Sequence, residues 1–220
     1  MNRQAPLVLV ATAVISLVAS ACSVVSPGIV GSGHAVTESR TVENFTSLRV
    51  GTAIEATVIV GPDVTLTVTA DDNLLTSVKT SVVAGRLTIE MQGANSSKAP
   101  VTVAITVPSL DGIEATSAAK VTATGINSTT LRASADSAGQ VTARGNATSV
   151  DAAASSAGVV DLSDVPADTA NVDVGSAARV TVNAQNSVTG SVDSGGSVHI
   201  EGNPPSVTVT ADSGGSVVRD

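Results

Sequence analysis

The sequence predicts an all-β protein, a right-handed parallel β-helix (solenoid) of roughly 18–20-residue coils. Three observations predict this fold: a serine that recurs once per coil, apolar residues that alternate with polar ones around it, and a near absence of aromatic side chains. The 220-residue chain contains one Phe and no Tyr or Trp. Val and Ala fill a narrow interior in which aromatic rings would not fit, so the composition and the repeat have one explanation.

The recurring serine defines the coils of the C-terminal half. Its copies are separated by 18 to 20 residues: Ser117, Ser137, Ser156, Ser176, Ser194 and Ser213. A Val stands four residues after each serine, and an Ala or Val stands two residues before each of the later five. The positions between these apolar residues are mostly polar. Alternation of period two predicts strands with one buried face, and stacking places equivalent strands about 4.8 Å apart.

The tetrapeptide Asp-Ser-Gly-Gly, which surrounds the nucleophile of chymotrypsin-like proteases, begins at Asp193. Ser194, however, occupies the same position in its coil as the other repeat serines. The sequence has only two histidines, His34 and His199, and neither lies in a recognisable histidine motif. The repeat therefore predicts a corner of the solenoid at Ser194, and not a catalytic serine.

Residues 35–115 are also predicted to be β-structure. Alternating segments occur here at 47–50, 54–60, 64–70, 86–91 and 101–107. Gly61-Pro62-Asp63 and Val83-Ala84-Gly85 predict tight turns. Residues 71–80 predict one helical turn or a loop.

The first 22 residues have the pattern of a secretory signal. Arg3 precedes a long apolar run, and small residues follow as far as Cys22. The run Val18-Ala19-Ser20-Ala21-Cys22 resembles a bacterial lipobox, which implies that Cys22 is acylated and becomes the mature N-terminus. Cys22 is also the only cysteine, so no internal disulfide can form. The alternatives are an uncleaved anchor helix or an ordinary secretory signal.

Three segments in order carry a family resemblance. They are "ESRTVENFTSLRV" (38–50), "VTADDNLLTSVKTSVVAGRLTIEM" (68–91) and "VTVAITVPSLDGIEA" (101–115), followed by coils rich in Ser and Gly. Together they resemble the "putative auto-transporter adhesin, head-GIN domain" family over about residues 33–219. The resemblance implies a β-helical, extracytoplasmic domain, often on a lipoprotein, and supplies no catalytic residues. The sequence departs from the family's Gly-Ser-Gly corners, because most of its corners are Ser-Ala-Ala or Ser-Ala-Gly.

These observations divide the chain into three parts. Residues 1–21 are predicted to be a lipoprotein signal peptide, residues 22–33 a flexible tether of small residues, and residues 34–220 a β-helical head-GIN-like adhesin domain.

The candidate ligand-binding residues are few. Asp136, Asp193 and Asp212 each precede a repeat serine, and a column of carboxylates could hold Ca²⁺. Ser155 and Gly175 interrupt that column, which favours solvated turn acids. The two histidines are too few for zinc, which takes three or four ligands. We therefore expect no metal, no cofactor and no catalytic residue, with lipidated Cys22 as the one modified site.

The formal net charge of −8 argues against a nucleic-acid partner, because phosphate binding needs a basic face. The function predicted is a non-catalytic, adhesin-like binding module, lipid-anchored to the extracytoplasmic side of the cell membrane, whose partner is a glycan or envelope protein. The alternatives are a purely structural envelope protein and, more distantly, a polysaccharide-active β-helix enzyme. Since Val and Ala fill the interior, we expect a partner to bind along the outward polar rows of the coils.

Overall fold

The computed structural model describes residues 28–220, so the predicted signal peptide and Cys22 lie outside the described residues. The described part of the chain forms a β-solenoid of about five turns. Its elements are β1 (Ala35–Ser39), β2 (Ser47–Val50), β3 (Glu55–Val60), β4 (Thr65–Asp71), a 3₁₀ turn (Leu75–Ser77), β5 (Val78–Val83), β6 (Arg86–Met91), β7 (Thr102–Val107), β8 (Gly112–Ala115), β9 (Lys120–Ala135), β10 (Gln140–Ala154), β11 (Val159–Val174), β12 (Arg179–Val192), β13 (Ser197–Glu201), β14 (Ser206–Ala211) and β15 (Ser216–Arg219). Within residues 28–220, no helix is long and apolar enough to cross a membrane.

The strands form two faces around one core. Face A contains β7, β3, the first arms of β9 to β12, and then β13 and β15. Face B contains β6, β2, β8, the second arms of β9 to β12, and then β14. Strands β9 to β12 are 14 to 16 residues long because each runs from face A into face B. All pairs within these two sets are parallel, as the repeat predicts.

The predicted core columns are confirmed. Val121, Val141, Val160, Val180 and Val198 are completely buried, and the register pairs each with its equivalent in the next coil. The buried side chains of both faces form one hydrophobic cluster. Only the last coil departs from this pattern, because its Val217 is partly buried.

The repeat serines form the corners between face B and face A. Ser137 and Ala138 have φ angles of 52° and 61°, and the other corners repeat this pair of left-handed residues. A side chain at positive φ is strained, and two such residues in succession reverse the chain sharply. The N–H of Ala138 donates to the carbonyl of Ser156, and the N–H of Ala157 to that of Ser176, at 3.0 Å each. The corners therefore stack through their own hydrogen bonds.

The first coils stack in an order that differs from their order in the chain. The coil made of β6 and β7 stacks on one side of the earlier β2–β3 coil, and β8 and β9 stack on the other side. The turn Gly61-Pro62-Asp63 therefore does not join paired strands, since β7 lies between β3 and β4. The turn around Ala84 and Gly85 does close a hairpin, between β5 and β6.

Antiparallel strands cap the N-terminal end. On face A, β4 pairs antiparallel with β7, and β1 pairs antiparallel with β4. On face B, β5 covers the edge of β6 in the same way. The prediction of a helical turn or loop over residues 71–80 holds for the 3₁₀ turn, whereas residues 78–80 belong to β5. Among the described residues, β1 and β5 are therefore the edge strands at this end.

Asp71 holds the cap together. Among the described residues it is the one buried polar or charged side chain, with no exposed surface. Its carboxylate accepts hydrogen bonds from the N–H groups of Gly33 (2.8 Å), Lys98 (2.8 Å) and Ala99 (3.3 Å) and from Ser97 Oγ (2.9 Å). Four donors satisfy a charge that would otherwise be costly to bury. They therefore hold Gly33 and residues 97–99 against the end of β4, where Asp71 lies.

The described end of the predicted tether, residues 28–33, is attached to this cap. Val30 forms a parallel bridge with Ser96, and the N–H of Gly31 donates to the Ser96 carbonyl at 2.8 Å. Asn73 Nδ2 donates to the Val30 carbonyl at 2.9 Å. A Cβ on Gly31 would lie 2.0 Å from Asp71 Oδ2, so this position requires glycine. Ordered contacts therefore reach back beyond the predicted domain boundary at residue 34.

Core position Val192 is predicted to be intolerant of charge. Val192 is completely buried, and Val192→Asp would leave an unpaired carboxylate in the core. We expect urea denaturation to show a loss of about 3–5 kcal/mol in the free energy of unfolding. The control Thr189→Asp, exposed on the same strand between Asn171 and Thr208, should change it by about 0.5 kcal/mol or less. Equal losses in both variants would contradict the assignment of faces.

The buried carboxylate of Asp71 and its four hydrogen-bond donors form the Asp71 latch. We predict that this latch makes the free energy of unfolding depend on pH. Burial alone raises the pKa of Asp71, but the bonds from Lys98, Ser97, Ala99 and Gly33 outweigh it and lower the pKa below its usual value. The contribution to stability is therefore complete above the unfolded pKa of about 3.9 and is lost as the pH falls toward the folded value. Asp71→Asn should lower Tm strongly at pH 7, and the difference from wild type should shrink below about pH 4.

The matched control is Asp63→Asn, on the exposed loop between β3 and β4. Its Tm should follow wild type throughout the acid titration. A pH-independent Tm difference for Asp71→Asn would show that the carboxylate charge is not what holds the cap.

Candidate binding groove on face B

The structure places Ser194 in a stacked corner, with a left-handed φ of 49°. Its carbonyl accepts the N–H of Ala177 at 3.0 Å, and the N–H of Gly195 donates to the Ser213 carbonyl at 3.2 Å. The equivalent atoms of the other corners make the same contacts. Ser194 therefore has the conformation and backbone bonds that its place in the repeat predicts.

The corner acids do not form one column of ligands. Asp136 accepts hydrogen bonds from Ser155 Oγ at 2.6 Å and Ser137 Oγ at 2.7 Å. These bonds, with a further one from Ser156, lower the pKa of Asp136 to about 2. Asp193 leans over Gly175, whose missing side chain leaves room for it: a Cβ there would lie 2.9 Å from Asp193 Oδ1. The serines thus serve Asp136 as hydrogen-bond donors, which suits a solvated corner.

An open groove of about 750 Å³ lies on the outward side of face B. It crosses β6, β2, β8 and the second arms of β9, β10 and β11. The lining outward side chains come from two adjacent rows, one through Ser47, Gly112, Arg132, Asp151 and Asn171, and one through Glu114, Ser134, Ala153 and Asp173. These residues alternate with core residues along each strand, so their side chains point outward. Each row joins register partners on successive strands, so the groove follows the stacking direction of the coils.

Small residues on three strands make the groove concave. Gly112 has no side chain, and a Cβ there would lie 2.7 Å from Ser47 Oγ and 3.2 Å from Ser47 Cβ, so a larger residue would crowd Ser47. Ser134 and Ala153 continue the low floor on β9 and β10. Longer side chains, such as Arg86 on β6 and Arg132 on β9, line the groove beside this floor.

The groove carries charges of both signs. Four carboxylates and two guanidinium groups line it: Asp111, Glu114, Asp151, Asp173, Arg86 and Arg132. Glu114 Oε1 accepts a hydrogen bond from Arg49 Nη1 at 2.9 Å, and Glu114 Oε2 lies 3.5 Å from Arg86 Nη1. Arg132 Nε lies 3.5 Å from Asp151 Oδ2. Exposed pairs of this kind add little stability, so their partners can be exchanged for groups of a ligand at little cost.

Beyond the groove, the outward rows continue as weakly bonded polar side chains. Thr189 Oγ1 donates to Asn171 Oδ1, and Ser191 Oγ to Asp173 Oδ1, both at 3.4 Å. The sequence predicts these rows, but it does not predict that small residues in the middle of them produce a groove. The alignment of Gly112 with Arg132 and Ser47 depends on the order of the first coils, which no local pattern reveals.

The two histidines are far apart in the chain and lie at opposite ends of the solenoid. His34 precedes β1 at the N-terminal cap, and His199 projects from β13 near the C-terminal end. The predicted lipidation site, Cys22, lies outside the described residues.

The residues that carry the family resemblance are structural. Phe45, Leu48, Leu74 and Leu87 are buried in the core or cap. Arg40 donates to the carbonyls of Val78 (2.6 Å) and Leu75 (2.9 Å), which ties the segment after β1 to β5. The motif Ala70-Asp71-Asp72-Asn73-Leu74-Leu75 contains the Asp71 latch. This six-residue motif therefore marks the cap, whereas other parts of the resembling segments supply Ser47, Arg86 and Gly112 to the groove.

Solved structures share the fold. A "putative adhesin" from Bacteroides fragilis matches with a TM-score of 0.69 and 17% identity, covering 88% of this chain and 100% of that one. A "putative lipid binding protein" from Parabacteroides distasonis matches with a TM-score of 0.53 and 16% identity, covering 88% and 100%. A "putative adhesin" from Parabacteroides merdae matches with a TM-score of 0.51 and 14% identity, covering 89% and 100%. Among curated proteins, no sequence matches this chain.

A family model also matches the sequence directly, over residues 44–204. This range extends from the residues before β2 to the loop after β13, and so includes the cap motif, the groove and most of the coils. The description of the family names adhesion and no catalytic activity, and it indicates a cell-surface or envelope protein. The chain belongs to the family described as "Putative auto-transporter adhesin, head GIN domain".

Proposed function

We propose that this protein is a lipid-anchored, extracytoplasmic adhesin-like module that binds an extended polar polymer, a glycan or a segment of an envelope protein, in the groove on face B. The observation that carries the proposal is the groove itself, an open channel with charges of both signs across six adjacent strands. An extended polymer makes many weak contacts at a regular spacing, and their sum gives useful affinity. Fold alone does not assign this activity, which rests on the site.

The groove suits binding more than catalysis. Three of its four carboxylates have a close partner: Glu114 pairs with Arg49 and Arg86, Asp151 with Arg132, and Asp111 accepts from Ser128 Oγ at 2.8 Å. The fourth, Asp173, accepts a 3.4 Å hydrogen bond from Ser191 Oγ. Glycosidic cleavage needs two carboxylates that are free to act on one bond from opposite sides. No aromatic side chain lines the groove, so the affinity for each sugar unit should be low.

The anchor proposed at Cys22 would set the orientation of the solenoid. Gly28 lies six positions after Cys22, and residues 29–33 are attached to the cap. An extended chain covers at most about 3.5 Å per residue, so the cap would lie within about 20 Å of the acylated cysteine. The N-terminal cap would then be the end of the solenoid nearest the membrane.

Lipidation of Cys22 is tested by metabolic labelling with an alkyne fatty acid in a bacterium that expresses the full chain. The wild-type chain should incorporate the label and enter the membrane fraction, whereas Cys22→Ala should lose the label because no thiol is left to acylate. Ser23→Ala is the control and should be labelled like wild type. Equal labelling of Cys22→Ala would rule out the anchor.

Groove binding is tested with the full chain in detergent micelles against an array of glycans and purified envelope polymers. Once a ligand is found, Ala153→Arg should weaken binding by at least about tenfold, because a long cationic side chain fills the floor of the groove. Thr142→Arg is the matched control, since it adds the same side chain on face A of the same strand, β10. It should bind like wild type.

Two outcomes would count against groove binding. If Ala153→Arg and Thr142→Arg bind equally well, the ligand contacts another surface. If no polymer binds at all, the protein is the structural envelope component that the sequence leaves open.

A further inference from the structure

Three side chains with metal-ligating atoms converge on face A at the C-terminal end of the solenoid. They are His199 and Glu201 of β13 and Asp220, which follows β15. One ligand atom from each lies within 4.8 Å of the other two. The groove on face B involves none of these residues.

The sheet fixes this arrangement. His199 and Glu201 are two positions apart on one strand, so they project from the same face, while Val198 and Ile200 between and beside them are buried. The register pairs Arg219 with Ile200, and the N–H of Asp220 donates to the Ile200 carbonyl at 3.2 Å. Asp220, which directly follows β15, therefore lies beside Glu201 of β13.

The imidazole of His199 has an unusual environment for a histidine on an outward face. Its Nε2 atom is shielded from solvent and makes no hydrogen bond. Asp220 Oδ1 lies 3.0 Å from this nitrogen, but the two groups are not aligned as donor and acceptor. Two ligand atoms on a tetrahedral zinc ion, with bonds of about 2.0–2.1 Å, lie roughly 3.3 Å apart. The observed separation is within about 0.3 Å of that value, and it is also the distance of an ion pair between Asp220 and a protonated His199.

We propose that His199, Glu201 and Asp220 bind a divalent transition-metal ion, of which Zn²⁺ is the best fit. One imidazole and two carboxylates are a ligand set that zinc accepts, with a water molecule completing the coordination. An imidazole ligand favours Zn²⁺ over Ca²⁺ and Mg²⁺, which prefer oxygen. Asp220 is exposed and Glu201 is half-buried, so both carboxylates have room to adjust their rotamers around the ion.

The ion would fasten the last strand of face A. Among residues 28–220, β15 pairs with β13 alone, and its Val217 is less buried than the equivalent residues of earlier coils. A metal held by β13 and by the residue after β15 joins the two strands through side chains as well as backbone bonds. Since such an ion binds the folded state, it should raise the stability of this end by mass action.

The test uses the full chain carrying Cys22→Ala, so that no thiol competes, in detergent micelles with Zn²⁺ as the probe. Competition with a chromophoric chelator should give about one tight Zn²⁺ site per chain, and Zn²⁺ should raise Tm. His199→Ala and Asp220→Asn should each weaken binding by at least about tenfold and remove the Tm shift. Co²⁺ in place of Zn²⁺ should give a d–d absorption spectrum that His199→Ala abolishes.

The matched control is His34→Ala, which removes the other histidine of the chain and should leave the affinity, the Tm shift and the Co²⁺ spectrum unchanged. Circular dichroism verifies that each variant keeps its β-structure. Absence of Zn²⁺ binding to the parent chain would overturn the proposal. Binding that survives both His199→Ala and Asp220→Asn would overturn it as well.

Discussion

The structure depends on the corner of two consecutive left-handed residues that closes each coil. The first residue is Ser in the six repeat corners, and the N–H of the second residue donates to the serine C=O of the next corner along the stack. This contact fixes the start of every coil relative to its neighbours. Because side chains alternate strictly along a strand, a slip of one residue would turn the Val columns outward. The corners therefore keep the core columns in register and stacked.

A backbone held by corners and core leaves the outward positions free to carry function. Thr189 and Thr208 can change without disturbing Val188 and Val207, which point inward from the same strands. The groove on face B and the His199 cluster on face A use this freedom differently. The groove depends on the small residues Gly112 and Ala153 at outward positions. The cluster combines two side chains of β13 with that of Asp220, the residue after β15.

Local patterns in the sequence predict the coils because each coil repeats the same short-range information. The alternation around Ser156 or Ser176 is sufficient to assign the faces and the core. Alternation does not distinguish parallel from antiparallel pairing, so the cap formed by β1, β4 and β5 was not predictable. The same limit applies to both candidate sites: the groove needs Gly112 next to Ser47, and the metal site needs Asp220 next to Glu201. Both contacts join residues separated by one or more complete turns of chain.

The two ends of the solenoid are built on different principles. The N-terminal end is closed by antiparallel strands around the buried carboxylate of Asp71, and it is the end to which the proposed lipid anchor is attached. The C-terminal end presents β14 and β15 without a covering strand among the described residues. An open parallel edge can recruit further strands, and natural proteins block such edges with covers or charges. The charged cluster of His199, Glu201 and Asp220 lies on that last coil, where an ion bound by it would hold the edge strand in place.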